Sequence, residues 1–209
     1  MKLTKEDVKR ALRKTWHFIW EEDSIWSWIV NIVLAFVLIK FIVYPGLGFA
    51  FGTSYPIVAV VSGSMEHDGS FDNWWESEAR CEQECTQEQW YAQYEINKEN
   101  FKDFKLKNGF NKGDIIFLRG AKKADVGDVL VFMSPYKKEP IIHRIVDIET
   151  SDNGKVYQTK GDHNVAAGKH DKDIQEKQVL GKSMFKIPYL GWIKIGFVEL
   201  LGFFGIYVS

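Results

Sequence analysis

The 209-residue sequence has few cysteines, few prolines and almost no net charge. Its two cysteines, Cys81 and Cys85, are too few to staple a disulfide-rich fold or to form a four-ligand zinc site. Five prolines and 17 glycines exclude a low-complexity chain. With 27 basic and 28 acidic residues, the chain has no overall positive field to attract nucleic acid. The fold must therefore rest on a hydrophobic core, and nucleic acid is not an expected partner.

The sequence does contain one long hydrophobic run, residues 25–44, whose polar members are the isolated Asn31 and Lys40. Twenty helical residues at about 1.5 Å each span roughly 30 Å, the thickness of a bilayer's hydrocarbon core. A buried core helix in a domain of this size would usually show a polar stripe, which is missing here. The run therefore predicts a transmembrane helix.

The charges around this run predict its orientation. Six basic residues precede it, and no Lys or Arg follows it until Arg80: Lys2, Lys5, Lys9, Arg10, Arg13 and Lys14. By the positive-inside rule, residues 1–24 form a cytosolic amphipathic segment in which His17 has an interfacial role, residues 25–44 cross the cell membrane, and the chain from residue 45 onward faces the outside. A cleaved signal peptide is the competing interpretation, but the run is long for one. We therefore expect a retained anchor.

A second apolar stretch occupies residues 189–209. It contains Lys194, Glu199 and several glycines, and it could return through the bilayer, lie in the interface or pack on the domain. A second membrane span is the favoured prediction, because Tyr189 and Trp192 would sit in the outer aromatic belt.

Between the apolar ends, residues 45–188 are predicted to form an antiparallel β domain. Six short runs are rich in β-branched or aromatic residues: 56–63, 114–119, 128–133, 141–148, 155–160 and 178–186. Asn153-Gly154 is a strong hairpin signal, and Gly113-Asp114 and Gly127-Asp128 mark two further entries into strands. The fold class is therefore mainly β, with an N-terminal transmembrane helix and a C-terminal apolar segment.

An insertion at about 66–108 interrupts this pattern and predicts helices. Ten acidic residues lie between Glu66 and Glu99, which indicates a solvated surface or, alternatively, a docking surface for a partner. On a continuous helix Cys81 and Cys85 would be neighbours on one turn, a spacing that does not favour a disulfide. A local bridge in an oxidising exterior would require the helix to break there.

Three motifs carry the chemistry: Val61 to Met65 (VSGSM), Ile141 to Val146 (IIHRIV) and Thr159 to Asn164 (TKGDHN). Together they supply an alcohol nucleophile, a base able to work near neutral pH, and a carboxylate to orient that base. His163 and His170, with the nearby Asp162 and Asp171, match no recognised metal-ligand spacing, so no metal is predicted.

In this order, and with the two Gly-Asp strand entries and the segment 179–192 (VLGKSMFKIPYLGW), these motifs resemble type I signal peptidases of the archaeal and endoplasmic-reticulum branch. The resemblance covers nearly the whole chain. Bacterial members have Lys before the Arg, where this sequence has His143 before Arg144. The resemblance implies that Ser64 is the nucleophile and His143 the base, and that the Ser64 amide and the Ser62 hydroxyl form the oxyanion hole.

The same resemblance implies what the protein acts on. Its substrates would be secretory preproteins, cut after a small residue at the end of the signal peptide, with no cofactor. Membrane lipid and accessory subunits are the other expected partners. The preference for small residues predicts shallow pockets lined by residues such as Ile57, Val58 and Val60, with the peptide adding as an extended strand.

The sequence departs from the family pattern at three places. The proline that usually follows the SGSM motif is absent, since residues 66–68 are Glu-His-Asp. The family reaches its next Gly-Asp soon after this motif, whereas Gly113-Asp114 comes only after the long insertion. The family's second acidic residue in the last motif falls on Gly168, so the carboxylate that orients His143 is left open. Asp162 matches the first acidic position, Asp171 is the preferred candidate for the displaced second one, and Asp173 is the next.

Two other functions remain open from the sequence. One is a non-catalytic, membrane-anchored module that binds a partner through the acidic insertion, in which case Ser64 would be dispensable. The other is a Ser-Lys protease, which the absence of Lys before Arg144 disfavours. A binding module gives no reason for the three motifs to occur together in this order.

Overall fold

A computed structural model describes residues 4–151 and 154–203, and divides the chain into two compact units that meet between Ala50 and Phe51. The first unit is helical. The second contains the sheet, the insertion and the C-terminal helix.

The first unit consists of helix α1, Lys5–Trp20, and a longer helix that begins at Ile25. The long helix comprises α2, Ile25–Leu38, a π-helical turn, Ile39–Val43, and α3, Tyr44–Phe51. The wide turn comes directly before Pro45, which has no N–H to continue the regular hydrogen-bond ladder. Among the described residues, Ile25–Phe51 is the one helix long and apolar enough to cross a membrane, as the sequence predicts.

The second unit is built on a seven-stranded antiparallel sheet in the order β1-β4-β9-β5-β6-β7-β8. Its strands are β1 Ile57–Ala59, β4 Ile115–Arg119, β5 Val129–Phe132, β6 Ile141–Ser151, β7 Gly154–Lys160, β8 Ile174–Gln175 and β9 Val179–Ile187. The predicted antiparallel β domain is confirmed, with β8 as an additional two-residue strand. Gly113 and Gly127 have φ values of 92° and 89°, so the two Gly-Asp strand entries use a backbone conformation that favours glycine.

The insertion between β1 and β4 contains three short helices and a two-stranded sheet. These elements are α4 Phe71–Trp75, β2 Glu78–Arg80, β3 Glu84–Thr86, α5 Gln87–Ala92 and α6 Lys98–Asp103. Their buried aromatic side chains form one cluster that also includes Val146 of β6: Trp74, Trp75, Trp90, Tyr91 and Phe101. The insertion therefore has a core of its own, packed on the sheet beside the strand that carries the His-Arg pair.

The expectation that Cys81 and Cys85 lie on one helical turn is wrong, since the chain forms a β-hairpin there and the two cysteines are joined in a disulfide. Besides the pairing of its own two strands, the hairpin is bonded to the loop after β7 and to the residue before β2. The Arg80 amide donates to the Val165 carbonyl at 2.7 Å, and the Gln87 amide donates to the Ser77 carbonyl at 2.9 Å. No local pattern in the sequence reports such bonds.

The C-terminal segment begins with helix α7, Trp192–Phe203. Residues 204–209 lie outside the described residues, so a second membrane span stays a prediction. Asn153 of the predicted hairpin turn also lies outside them, although the flanking strands β6 and β7 pair as expected from Arg144 to Gly154.

Candidate active site

Strand β6 places the two residues of the His-Arg motif on opposite faces of the sheet, because side chains alternate along a strand. His143 faces the same side as its neighbours Ile141 and Ile145, which belong to the cluster around Phe132. Arg144 faces the insertion, where its guanidinium lies 4.7 Å from the centre of the Phe101 ring. The two side chains of the motif therefore lie in separate environments on opposite sides of the sheet.

On the first face, His143 pairs with Asp171. The Nδ1 of His143 lies 2.5 Å from Oδ1 of Asp171, and both side chains are almost fully buried. An ionised carboxylate at Nδ1 holds the proton on that nitrogen and leaves Nε2 free to accept one. This is the arrangement that a general base requires.

Asp171 is held in place by two further donors. Thr159 Oγ1 donates to Oδ1 at 2.7 Å, and the Gly168 amide donates to Oδ2 at 2.7 Å. Burial raises the pKa of Asp171, but the hydrogen bond and charge of His143, together with these two donors, outweigh burial and leave the pKa below its ordinary value. The carboxylate is therefore ionised at neutral pH.

Ser64 and His143 converge on Gly161. A Cβ at position 161 would lie 2.6 Å from the Ser64 carbonyl oxygen and 2.8 Å from His143 Nε2, so only glycine fits between them. The loop is tied to Ser64 by the His163 amide, which donates to the Ser64 carbonyl at 3.0 Å. Among the described residues no hydrogen bond joins the Ser64 hydroxyl to His143, and Ser64 Oγ instead lies 3.4 Å from Ser62 Oγ.

The groups expected to form an oxyanion hole are available. Within the described residues, no group accepts a hydrogen bond from the Ser64 amide, and the Ser62 side chain is exposed. Catalytic hydrogen bonds often form fully only when a substrate is bound, so a Ser64 hydroxyl that is not hydrogen-bonded to His143 here can still be a nucleophile.

A cavity of about 490 Å³ brings Ser62, Ser64, His143 and Asp171 together. Its walls also contain apolar or small side chains suited to a peptide with small residues: Val61, Pro140, Ile141, Ile142 and Ala166. The expectation that Ile57, Val58 and Val60 line this pocket is wrong, since none of them is among its lining residues; Val60 is 2% exposed and packs in the core around Met65 and Phe110. The outward-pointing neighbour Val61 takes that place.

On the second face of β6, Asp162 pairs with Arg144 and not with His143. Arg144 donates from Nε to Oδ1 at 2.9 Å and from Nη2 to Oδ2 at 2.6 Å, and both side chains are fully buried. Three carbonyl groups, those of Lys105, Leu106 and Gly127, accept the remaining guanidinium N–H groups. The pair is therefore completely satisfied inside the protein.

Asp162 has two more side-chain partners, and both come from the insertion. His67 Nε2 lies 3.0 Å from Oδ2, and the Tyr91 hydroxyl donates to Oδ1 at 3.2 Å. Burial raises the pKa of Asp162, but the charge of Arg144 and the hydrogen bonds from His67 and Arg144 outweigh it and hold the pKa far below its ordinary value. Asp162 therefore stays ionised and links the motif loop to the insertion.

Gln87 and Lys160, which the sequence analysis does not single out, also connect the motif loop to the insertion. Gln87 is 1% exposed, and its amide donates to the carbonyls of Glu78 and Asn164 while its oxygen accepts from Lys160 Nζ at 2.7 Å. Lys160 also donates to the carbonyls of Gly161 and Asp162. A single glutamine in a polar stretch has no sequence signature, whereas Lys160 could have been noticed inside the TKGDHN motif.

The histidines weighed as metal ligands lie apart. His163 Nδ1 is 3.6 Å from Asp68, and His170 Nδ1 is 3.2 Å from the Ser134 hydroxyl. The described part of the chain contains no group of three or more His, Cys, Asp or Glu side chains arranged to hold a metal ion.

Comparisons with known proteins bear on these motifs. No family model matches the chain. The chain is 26% identical over 167 residues to the signal peptidase complex catalytic subunit SEC11 of Yarrowia lipolytica, which covers 77% of this chain and 73% of that protein. It is 25% identical over 174 residues to human SEC11C, with 78% and 69% covered, and 27% identical over 209 residues to sec11 of Aspergillus terreus, with 84% and 88% covered.

These similarities confirm the resemblance that the motifs indicated. Over most of its length the chain is similar to proteins named as catalytic subunits of signal peptidase complexes.

Proposed function

We propose that this chain is a membrane-anchored serine endopeptidase that removes signal peptides from secreted preproteins. The observation that carries the proposal is the His143–Asp171 pair. The Nε2 atom of His143 and the Ser64 carbonyl both lie next to Gly161, and Ser64, His143 and Asp171 line a cavity that also has small and apolar side chains in its walls. The curated relatives, named as catalytic subunits of signal peptidase complexes, support the same substrate class.

In the proposed reaction, Ser64 Oγ attacks the carbonyl carbon of a small residue of the preprotein, and the bond from that carbon to the next residue's nitrogen breaks. His143 Nε2 takes the hydroxyl proton and returns it to the leaving amine, while Asp171 stabilises the charged imidazole. The Ser64 amide and the Ser62 hydroxyl would donate to the developing oxyanion, which contributes roughly 3 to 4 kcal/mol per donor. Water then attacks the acyl-enzyme carbonyl and gives a proton to His143 Nε2, and the ester bond to Ser64 Oγ breaks as His143 returns the proton to that oxygen.

We further propose that the catalytic unit lies outside the cytoplasm, with the N-terminus inside. The charge bias around Ile25–Phe51 supports this orientation, and so does the Cys81–Cys85 disulfide, because such bonds persist in oxidising compartments. Because the relatives are named as subunits of a complex, accessory subunits are also proposed as partners.

The proposal is tested by incubating the full chain, in detergent or liposomes, with a preprotein that carries a signal peptide. The wild-type protein should release a product whose N-terminus follows a small residue, as read by mass spectrometry. Ser64→Ala and His143→Ala should each abolish this cleavage, while their thermal unfolding midpoints stay close to that of the wild type.

Matched controls separate chemistry from surface effects. Ser54→Ala changes an exposed serine outside the cavity, and His163→Ala changes a half-exposed histidine of the same motif loop, so both should cut normally. A folded wild-type protein that cuts none of several preproteins would contradict the proposal and favour the non-catalytic binding module. Cleavage that persists in Ser64→Ala would contradict the assigned nucleophile.

A further inference from the structure

Helix α1 has two chemically different faces. Its apolar side chains follow one another at intervals of three and four residues and share one face, with Val8, Leu12, Trp16 and Ile19 as the largest members. The other side of the helix is basic: Arg10, Arg13 and Lys14 face away from the apolar side chains, and Lys9 lies at the border between the two faces. Such a helix is typical of segments that lie in the plane of a membrane surface.

The protein itself does not cover the apolar face. No residue of α1 is buried, and Val8, Leu12, Trp16 and Trp20 are between 47% and 70% exposed. A soluble helix would rarely leave a row of large apolar side chains in water, so another medium or molecule must cover them.

The basic face also has free charge. Within the described residues, Lys9 pairs only with the highly exposed Glu6, and no acidic side chain pairs with Arg10, Arg13 or Lys14. The two acidic residues of the helix, Glu6 and Asp7, lie in its first turn, where Asp7 forms the capping box with Thr4. The rest of the basic face can therefore attract an anionic surface.

Two polar side chains of the spanning helix fix where α1 ends. The Ser27 hydroxyl donates to the Phe18 carbonyl at 2.6 Å, and the Asn31 amide donates to the Ile19 carbonyl at 2.9 Å. Asn31 lies six residues after Ile25, about 9 Å along the helix axis. An interfacial helix buries its apolar face roughly 5 to 10 Å below the headgroups, so this contact places the end of α1 at the matching depth.

We propose that α1 is a surface helix that binds anionic phospholipid in the leaflet at the N-terminal end of the span, and that Ser27 and Asn31 set its depth. Lipid is the occupant that fits both faces at once, because the apolar side chains reach the acyl region while the basic side chains meet the headgroups. The continuity of α1 with the spanning helix supports the same occupant. The proposal does not depend on peptidase activity.

The test places an environment-sensitive fluorophore on either face of α1 in the full chain, reconstituted in nanodiscs. Both native cysteines are in a disulfide, so Leu12→Cys on the apolar face, or Glu6→Cys on the polar face, supplies one reactive thiol. One set of discs contains phosphatidylcholine alone, and the other also contains phosphatidylglycerol. Quenching by lipids that carry a nitroxide on the upper part of the acyl chain reports whether each probe enters the acyl region.

We expect the probe at position 12 to be quenched at least threefold more strongly than the probe at position 6, and more strongly in anionic than in neutral discs. Changing four basic residues to Gln should remove the dependence on lipid charge: Lys9, Arg10, Arg13 and Lys14. Four exposed lysines of the second unit provide the matched control and should not affect it when changed to Gln: Lys122, Lys138, Lys172 and Lys177. Asn31→Leu with Ser27→Ala should weaken quenching at position 12 in both lipids.

Two outcomes would overturn the proposal. Equal quenching at both positions would mean that the apolar face does not enter the bilayer. If the probe at position 12 were shielded from quenching to the same extent in neutral and anionic discs, and each disc contained two copies of the chain, a second copy would cover this face.

Discussion

The two carboxylates of the loop after β7 lie in opposite kinds of environment. Asp162 is paired with Arg144 in a site that is closed on every side by the insertion and the sheet. Asp171 is paired with His143 at the wall of a cavity that also contains Ser64. Both side chains are buried and both are held ionised, so burial alone does not distinguish them.

The difference lies in the partner. A guanidinium keeps its charge at all accessible pH values, so the Arg144–Asp162 pair can position the backbone but cannot pass on a proton. An imidazole can accept a proton near neutral pH, so the His143–Asp171 pair can act as a general base. Alternation along one strand separates the two pairs, and one loop supplies both carboxylates. If this comparison is correct, damage to one face should affect catalysis and damage to the other should affect stability.

The largest effect is expected from Asp171→Asn. The amide cannot hold the Nδ1 proton of His143 as a carboxylate does, so kcat should fall about 10⁴-fold, as for the corresponding change in a Ser-His-Asp triad. The thermal unfolding midpoint should fall less than in Asp162→Ala, because Asn keeps the shape of the side chain although its NH2 group cannot accept the bonds donated to the carboxylate. Rates of preprotein cleavage and thermal unfolding of the full chain in detergent measure the two properties.

Asp173→Asn is the matched control for this prediction. Asp173 is exposed and has a φ of 56°, a conformation that Asn accepts readily, so its variant should retain activity. If Asp173→Asn were inactive and Asp171→Asn active, the residue that orients His143 would be Asp173, and the assignment to Asp171 would be wrong.

Asp162→Ala should act on stability first. It leaves the fully buried Arg144 without its counter-charge, which typically costs about 3 to 5 kcal/mol in the free energy of unfolding. Chemical unfolding followed by tryptophan fluorescence is a suitable measurement, because Trp74, Trp75 and Trp90 lie in the adjoining cluster.

The double variant Asp162→Ala with Arg144→Met sharpens this prediction. If the cost comes from an unpaired buried charge, the double variant should be more stable than the sum of the two single changes implies. Strict additivity would mean that the pair contributes less than its geometry indicates.

Gly161→Ala tests the point where the Ser64 backbone and the His143 side chain approach each other. The added methyl group would lie within 3 Å of the Ser64 carbonyl and His143 Nε2, and the φ of Gly161 is not positive, so space and not backbone strain is the obstacle. We expect overpacking to cost about 1 to 3 kcal/mol of stability and displacement of His143 to lower kcat about 100-fold.

Gly168→Ala is the control in the same loop. Its added methyl group would meet Asp171 at 3.5 Å, an ordinary contact, so activity and stability should stay near those of the wild type. Equal losses in both variants would show that the loop tolerates no side chain at either glycine, and that Gly161 has no special relation to the site.

The sequence predicts much of this organisation, and the parts it misses share one cause. Strands such as β4 and β5 were predicted within a residue or two, because their alternation and Gly-Asp entries are local signals. The hairpin at residues 78–86 was predicted as helix because the insertion has few β-branched residues and its local signals favour helix, whereas the disulfide and the bond from the Arg80 amide to the Val165 carbonyl depend on the tertiary fold. The motifs gave the set of candidate carboxylates, but the choice between His143 and Arg144 as partner depends on which face of β6 each loop residue meets.

Lys160 lies between the two pairs and gives the smallest effect. Its side chain is fully buried, with the ammonium group bonded to Gln87 and to the Gly161 and Asp162 carbonyls. Burial lowers its pKa to about 7, although the charges of Asp162 and Asp171 raise it in part. Between pH 7 and about 10.4 the unfolded chain therefore keeps a proton that the folded protein has released. By linkage, the free energy of unfolding should rise with pH in this window, by roughly 1 kcal/mol per pH unit.

Lys160→Met should remove this rise. Unfolding of both proteins at pH 7, 8 and 9 gives a difference in which the other titrating groups cancel, and this difference should change with pH in favour of the wild type. Lys172→Met, on an exposed side chain, should show no such trend. A difference that does not vary with pH would mean that Lys160 stays charged in the folded protein because its three oxygen acceptors outweigh burial. In that case the buried site around Asp162 would contain a second permanent positive charge beside that of Arg144, and the contrast between the two faces would become stronger.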